Sequence, residues 1–434
     1  MSSSESSRTI KVGALTRVEG EGALHVEVRD GRVSHVRLAI YEPPRFFEAL
    51  LRGRPLEETP DITARICGIC PIAYQMTAVH ALEQALGVTI SPEIRLLRRL
   101  LYCGEWIESH GVHMHLLHIP DFFACDSSIE LAKRFPDAVK RGLQLKKIGN
   151  RLLEVLGGRA VHPINVAVGG FYRAPQVREL QGLVDELKWG LDASVAVARW
   201  VAGFSFPEFC SQTEMVALRH TSEYPMNEGR IVSTHGLDIA VEQFEAYFDE
   251  RQVPHSTALQ AVRLPEETAY FVGPLARINL NRELLSPTAR QLSDEVSIVW
   301  PCANPYQSIV ARALEVVHAF EEALAIVADY QGCSPARIAY QYRPGEGMWA
   351  TEAPRGLIFH RYQVREDGSL AFAKIVPPTS QNQRQIELDL TAYLPHILHE
   401  DDDSIARHCE RLIRAYDPCI SCATHFLKLE MVRR

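Results

Sequence analysis

Residues 417–425, DPCISCATH, place two cysteines three positions apart, close to the last residue, Arg434. A second pair with the same spacing occurs in RICGIC, residues 65–70. Cysteines at positions i and i+3 can turn both sulfur atoms toward one metal ion, because three residues bring side chains to the same face of a turn. If all four thiols converge, the fold has to bring the two ends of the chain together.

Three interpretations fit these pairs. Structural zinc sites usually hold their cysteine pairs about 12–20 residues apart in small domains, whereas Cys67 and Cys419 are 352 positions apart. Dithiol redox chemistry usually places a CxxC at a helix start after a strand. A catalytic transition-metal site suits soft thiolates. Arg65, Asp417 and His425 beside the pairs favour the catalytic site, because catalysis needs oriented charges and proton acceptors.

Length and composition exclude several classes of protein. The chain has 434 residues, 46% of them hydrophobic, so it can bury a large core. Its net charge of −8 gives no sign of nucleic-acid binding, and no apolar run approaches the roughly 20 residues that span a bilayer. We therefore expect neither nucleic-acid binding nor direct membrane insertion. Ten cysteines are too few for a disulfide scaffold and fit a reducing cytoplasm.

Hydrophobic periodicity predicts a mainly α protein with small β-sheets. Asp30-Gly31 and Asp367-Gly368 lie between alternating segments and predict two β-hairpins, at 23–41 and 357–376. An earlier strand is predicted at 9–15. Apolar residues at three- and four-residue spacing predict helices at 76–88, 92–110, 129–135, 143–156, 177–204 and 306–330. Residues 205–300 give mixed signals.

Six motifs resemble, in the same order, those of nickel–iron hydrogenase large subunits. They are RVEGEGAL (17–24), FFEALLRGR (46–54), RICGIC (65–70), APRGLIFHR (353–361), IVPPTSQN (375–382) and DPCISCATH (417–425). The resemblance covers nearly the whole chain and is closest to the soluble, bidirectional, cytoplasmic branch of the family. It implies the fold of that subunit, and it implies that the protein catalyses H2 ⇌ 2 H+ + 2 e−.

The resemblance also implies a metal centre. Cys67, Cys70, Cys419 and Cys422 would bind nickel. The cysteines at positions 70 and 422 would bridge to an iron that carries carbon monoxide and cyanide, and those at 67 and 419 would be terminal ligands. Glu48, His425 and the backbone carbonyl of Ile375 would hold a second metal, magnesium or iron.

Five further residues receive roles from the same resemblance. Thr379 would offer its hydroxyl to a cyanide ligand, with Pro378 beside it. Arg355 would lie above the open face of the metals, oriented by a charge-assisted pair with the Asp417 carboxylate, for which one-bond and bidentate geometries both stay open. Glu19 would be a buried carboxylate that relays protons to and from a terminal cysteine.

Some positions depart from the family or receive no role. Many members of the family have a histidine at position 74. This chain has Tyr74 there, as the soluble branch does. Four histidines in SHGVHMHLLH are predicted to be core or surface residues: His110, His113, His115 and His118.

The domain prediction has three parts. Residues 1–8 are polar and predicted to be disordered, and residues 9–425 are predicted to form one domain. Residues 426–434, FLKLEMVRR, would be an extension that a maturation endopeptidase removes after nickel insertion, so that the last cysteine pair closes the site.

The remaining six cysteines are scattered, so the sequence provides no iron–sulfur chain of its own. Electrons would therefore pass to a small subunit that holds iron–sulfur clusters, and onward to NAD(P) through diaphorase-type flavin subunits. Two alternatives stay open. One is a hydrogen sensor. The other is a scaffold subunit like that of respiratory complex I, although such subunits have lost the metal-binding cysteines.

Overall fold

The computed structural model describes residues 7–424. His425 and the predicted extension 426–434 therefore lie outside the described residues, as do residues 1–6. The first strand begins at Ser7, so residues 7 and 8 lie in a strand and the prediction of disorder is wrong for those two residues.

Helices dominate the structure, as predicted. In the described chain the helices are α1 (Phe47–Leu51), α2 (Thr59–Ala64), α3 (Pro71–Leu86), α4 (Pro92–Val112), α5 (Ile119–Phe122), α6 (Ser128–Arg134), α7 (Pro136–Gly157), α8 (Val177–Gln181), α9 (Val184–Ala202), α10 (Phe244–Tyr247), α11 (Pro274–Asn281), α12 (Pro287–Glu295), α13 (Ser308–Asp329), α14 (Pro378–Tyr393), α15 (Asp402–Ala415) and α16 (Ile420–Ala423). The strands are β1 (Ser7–Val12), β2 (Gly22–Arg29), β3 (Arg32–Ile40), β4 (Val166–Ala167), β5 (Gly170–Phe171), β6 (Glu214–Arg219), β7 (Arg230–Ser233), β8 (Asp238–Ile239), β9 (Phe248–Gln252), β10 (Leu259–Arg263), β11 (Tyr270–Val272), β12 (Gly345–Ala353), β13 (Gly356–Val364) and β14 (Leu370–Val376).

Four long helices form the centre of the core. Helix α4 packs along α7, and α13 packs against both α4 and α9. Glycines permit the close approach of α4 and α7, because a Cβ at Gly149 would lie 2.6 Å from the carbonyl oxygen of Gly104. No helix within residues 7–424 has the length and apolar character that crossing a membrane requires.

Small sheets flank the helices. Strands β1, β2 and β3 form an antiparallel sheet whose second turn contains Asp30 and Gly31, both with positive φ, which confirms the first hairpin. Strands β13 and β14 confirm the second hairpin, and β12 adds a third strand that the sequence did not predict. Within 205–300 the order β11-β6-β7-β8 includes a parallel pair, β11 with β6.

Several helix boundaries differ from the prediction. Residues 177–204 form two helices, because α8 ends at Gln181 with Gly182 as its C-cap and the chain restarts as α9. Helix α3 begins earlier than predicted, at Pro71, a residue that suits the first helical position. Helix α4 continues into a π-helix at His113–His118, and the strand predicted at 9–15 ends at Val12.

Candidate metal centre

The fold brings the two cysteine pairs together. Cys67 lies in the turn after α2 and Cys70 directly precedes α3, while Cys419 and Cys422 lie at the start of and within α16. The Sγ atoms are 3.5 Å apart for Cys67 and Cys419, 3.7 Å for Cys70 and Cys422, and 2.7 Å for Cys419 and Cys422. All four thiols are buried, and their sulfur atoms lie within 4.8 Å of one another. This four-cysteine cluster is a set of soft donors that fits a nickel–iron centre.

Backbone amides support the first pair. The N–H groups of Ile69 and Cys70 each point at the Cys67 sulfur from 3.3 Å. Hydrogen bonds from neighbouring thiols lower the pKa of Cys67, and the thiol of Cys419 makes the largest contribution. Burial raises the pKa of Cys419. Because a metal binds thiolates, loading this cluster would release protons.

Helix α14 supports the second pair. Pro378 is its first residue, and the hydroxyl oxygen of Thr379 accepts a hydrogen bond of 3.0 Å from the backbone N–H of Cys419. The Thr379 hydroxyl proton is not used in that bond, so the hydroxyl can donate to a ligand beside the cluster.

Arg355 and Asp417 form a buried pair beside the cluster. Arg355 Nη2 donates to Asp417 Oδ1 at 3.1 Å, and its Nε donates to the backbone carbonyl of Asp417 at 2.9 Å. The predicted charge-assisted pair is therefore present, with one bond to the carboxylate and the other to the backbone carbonyl of Asp417, whose φ is 53°. Burial disfavours the charge on Arg355, but Asp417 and nearby thiols, first Cys419, outweigh burial and raise its pKa.

Glu19 reaches the cluster from the loop between β1 and β2. Its Oε2 lies 3.0 Å from the Cys419 sulfur and accepts a 3.0 Å hydrogen bond from the backbone N–H of Ser421. Its backbone carbonyl accepts from Ile420 N–H at 2.9 Å, which ties the two chain ends together. Glu19 is partly buried, whereas the sequence predicted a buried carboxylate, because its loop lies near the surface.

The residues predicted for the second metal are partly placed. Glu48 is buried, and its Oε1 accepts a 2.7 Å hydrogen bond from the backbone N–H of Ile375. Glu48 also borders a cavity of about 560 Å³ that Asp249 and Glu250 share. The contact is to the N–H of Ile375, so its carbonyl as a metal ligand stays a prediction, and three cationic side chains also line the cavity: Arg52, Arg251 and Lys374. The third predicted ligand, His425, lies outside the described residues.

Arg65 does not belong to this site. Its guanidinium pairs with Asp61 at 3.1 Å on the surface, and its side chain is 45% exposed. The sequence argument that counted Arg65 among the charges around the metal is therefore wrong. Arg65 follows the last turn of α2, where its side chain points to solvent although the next cysteine points inward.

The structure adds two groups that the sequence did not assign. His113 Nε2 lies 3.9 Å from Asp417 Oδ1 and 2.8 Å from the backbone carbonyl of Arg414. Glu105 accepts hydrogen bonds from the N–H groups of Ile72, at 2.6 Å, and Ala73, at 3.1 Å, so it holds the start of α3 directly after Cys70. The sequence signal for this role was a charged residue, Glu105, at a position of α4 where the apolar pattern predicts a buried side chain.

The histidines of SHGVHMHLLH and Tyr74 are core residues. All four histidines of SHGVHMHLLH are buried, and burial lowers the pKa of His110 and of His115 to about 4. Tyr74 is also buried, one turn after Cys70, and burial raises the pKa of its phenol, helped by Cys422.

Comparison with known proteins identifies the family. The sequence model described as nickel-dependent hydrogenase matches residues 45–135 and 266–425. Sulfhydrogenase 2 subunit alpha of Pyrococcus furiosus is 32% identical over 423 residues, which cover 97% of this chain and 100% of that protein. The chain belongs to the nickel-dependent hydrogenase large-subunit family. It is therefore a nickel-binding oxidoreductase subunit, as the six motifs predicted.

Further relatives agree with this membership in the hydrogenase family. The beta subunit of the NAD-reducing hydrogenase HoxS of Cupriavidus necator is 27% identical, and the match covers 97% of this chain and 95% of that subunit. A crystal structure of an NAD+-reducing NiFe hydrogenase in the H2-reduced state superposes with a TM-score of 0.87 and 25% identity, covering 96% of this chain and 99% of that one. The predicted fold class is confirmed.

Proposed function

We propose that this chain is the catalytic large subunit of a hydrogenase that interconverts H2 with two protons and two electrons. The observation that carries the proposal is the four-cysteine cluster with Arg355 and Glu19 on its borders. When bound, a nickel–iron centre, its iron carrying carbon monoxide and cyanide, supplies the two-metal site at which hydrogen is split and electrons are taken up. The protein has to hold that centre, orient hydrogen and move protons.

Glu19 is the group that moves the proton. Heterolytic cleavage of hydrogen needs a base, and the Cys419 sulfur is a base in contact with a carboxylate 3.0 Å away. A proton on that sulfur can pass to Glu19 Oε2, and the reverse transfer serves hydrogen formation. Because Glu19 is only partly buried, it can exchange the proton with groups nearer the solvent.

Arg355 serves as a fixed positive charge. A guanidinium does not give up its proton in this pH range, so its contribution is electrostatic. Its two bonds to Asp417 fix the direction in which it points. Thr379 would hold a ligand of the iron through its hydroxyl proton, with Pro378 stiffening the start of α14.

Electrons leave at the surface next to the first cysteine pair. Gly68, between Cys67 and Cys70, is exposed, and a Cβ there would lie 3.9 Å from Val161. Val161, Ile164 and Tyr172 are large apolar side chains with 45–60% of their surface exposed. Such a patch beside the thiols suits a protein partner, which we take to be an iron–sulfur small subunit.

Four further assignments belong to this proposal. The relatives named above include an NAD-reducing hydrogenase, which supports NAD(P) and diaphorase-type subunits as the electron route here. Magnesium or iron would bind Glu48, the Ile375 carbonyl and His425. A maturation endopeptidase would remove 426–434. A cytoplasmic location fits the free state of all ten cysteines.

The test is hydrogen-dependent reduction of a viologen dye by the complex purified anaerobically. We expect turnover together with H2/D2O exchange. Tight hydrogen binding with very slow turnover would favour the sensor, and absence of both nickel and hydrogen binding would favour the scaffold.

A further inference from the structure

Arg277 of α11 is fully buried, and every one of its five N–H donors is used. Its Nε and Nη2 donate to the two carboxylate oxygens of Glu315, both at 2.7 Å. Nη1 donates to Glu352 Oε2 at 3.0 Å and to the backbone carbonyl of Ala353 at 2.8 Å. Nη2 also donates to the backbone carbonyl of Pro354 at 2.9 Å. One guanidinium thus joins two carboxylates to two successive carbonyl groups.

Those two carbonyls belong to the turn that carries Arg355. Strands β12 and β13 pair from Ala353 to Gly356, so Pro354 and Arg355 form the two-residue loop between them. Gly273, the residue before α11, packs on the same loop, because a Cβ there would lie 3.0 Å from the Arg355 carbonyl oxygen. Arg277 therefore clamps the backbone directly before Arg355.

The clamp is itself held on several sides. Glu315 also accepts hydrogen bonds from the Tyr224 hydroxyl at 2.7 Å and from His110 Nε2 at 3.0 Å. The Arg277 guanidinium stacks on the Trp106 ring with its carbon 4.5 Å from the centroid, and the Trp106 indole N–H donates to the Glu352 carbonyl at 3.1 Å. Each of these side chains is buried, so the geometry has little freedom.

Helix α13, which carries Glu315, also holds the segment before Asp417. Arg312, one turn before Glu315, donates to the Ala415 carbonyl at 3.0 Å, and the Ser308 hydroxyl donates to the same carbonyl at 2.6 Å. Ala415 lies two residues before Asp417. One helix thus fixes the backbone of both members of the Arg355–Asp417 pair.

We propose that Arg277, anchored by Glu315, is the positioning residue that sets the place of the Arg355 guanidinium beside the four-cysteine cluster. A buried ion pair gives little net stability compared with well-packed apolar side chains of the same volume. Two of the five donors end on carbonyls of the Arg355 turn, and the other three hold Arg277 to Glu315 and Glu352, an arrangement that is explained by placement of that turn. The effect on turnover rests on the proposed function, whereas the effect on the position of Arg355 does not.

The test compares Arg277→Met and Arg277→Lys with a matched control, Arg98→Met, in the metal-loaded complex. Arg98 is equally buried, donates to Glu83 at 2.8 and 2.6 Å and to the Ala167 carbonyl at 3.3 Å, and does not contact the Arg355 turn. Crystal structures of each variant report the contact between Arg355 Nε and the Asp417 carbonyl. Metal content, kcat and the KM for hydrogen are measured on the same preparations.

In both Arg277 variants we expect Arg355 to move away from the Asp417 carbonyl. With metals retained, kcat should fall about a hundredfold in Arg277→Met, and the KM for hydrogen should change far less. Arg277→Lys keeps the charge opposite Glu315, which protects folding, but its single ammonium cannot hold both carbonyls. It should show the same displacement with a smaller loss of kcat, and it decides the matter if Arg277→Met does not fold.

Arg355 unmoved in the Arg277 variants would overturn the proposal, and so would an equal displacement in Arg98→Met. A wild-type complex without hydrogen turnover would instead contradict the proposed function. The crystal structures would still decide whether Arg277 positions Arg355.

Discussion

Within residues 7–424, two clusters gather metal-ligand atoms within 4.8 Å: the four cysteines, and a surface cluster of His220, Glu223 and Glu228. The cysteines are buried and make thiol contacts with one another. The surface cluster is partly exposed, and its carboxylates pair with Arg95 and Arg99.

The difference shows what separates a metal site from a group of acidic residues. Arginine cations already neutralise Glu223 and Glu228, so a metal ion would have to displace them. At the cysteines, the nearby cation Arg355 is turned toward Asp417, and the sulfur atoms face one another. Donor atoms lie close together in both clusters, but in the surface cluster the carboxylates are already paired with arginine side chains.

The largest effect should come from Cys419→Ser. Because a serine hydroxyl is a poor ligand for a soft metal, we expect nickel content to fall below about a tenth of the wild-type value. Hydrogen-dependent dye reduction should fall by at least about a thousandfold. Cys409→Ser, a buried cysteine of α15 outside the cluster, is the control and should keep its nickel. If Cys419→Ser kept the nickel content and the rate of the wild type, the four-cysteine cluster would not be the metal site that distinguishes it from the surface cluster.

Arg355→Lys should keep the metals and lose most turnover. Lysine cannot bond both the carboxylate and the carbonyl of Asp417 in the geometry of a guanidinium, so its charge would be misplaced. We expect kcat to fall about a hundredfold. Arg361→Lys changes an arginine of β13 that pairs with Glu245 and Glu346 near the surface, and it should leave kcat unchanged. Normal rates in Arg355→Lys would show that a positive charge of any shape is sufficient.

Glu19→Gln should slow proton transfer without affecting the metals. The amide keeps the size of the carboxylate and can still accept from Ser421 N–H, but it cannot take up a proton. H2/D2O exchange should slow about tenfold or more. Glu42→Gln is the matched control, because Glu42 accepts from the Ser421 hydroxyl at 3.2 Å but does not contact a thiol. Equal exchange rates in the two variants would exclude Glu19 as the relay.

The smallest effect should come from Glu228→Gln in the surface cluster. Its side chain is 31% exposed, so loss of the pair with Arg95 should change the free energy of unfolding by less than about 1 kcal/mol. Metal content should not change. A rise in the Tm of the wild type on addition of zinc that is absent from Glu228→Gln would show that the surface cluster binds metal after all.

The sequence predicted those features that depend on local spacing. The two CxxC pairs, the turns at Asp30-Gly31 and Asp367-Gly368 and the apolar stripe of α13 each follow from a few neighbouring residues. Convergence of the cysteines could be proposed because distant thiols can be ligands of the same metal site. The same local reasoning failed for Arg65, since adjacent residues at a helix end can face opposite ways.

Features that depend on distant partners were not predictable in this way. Strand β12 contains Gly345 and Gly347, which weaken a strand signal. Both glycines lie against α3, where a Cβ would come within 2.3 Å of the Ala85 carbonyl and 1.8 Å of the Ala81 carbonyl. The proposed positioning role of Arg277 depends on its ion pair with Glu315. The only sequence clue to that pair was an acidic residue inside the apolar stripe of α13.

The most direct test of the account is the amount of nickel, iron and zinc per chain in the complex purified anaerobically from its native host. The account predicts nickel and iron at about one each per chain, and no stoichiometric zinc, in chains from which residues 426–434 have been removed. Zinc alone, in equally processed chains, would make the four-cysteine cluster a structural site and contradict the proposed mechanism.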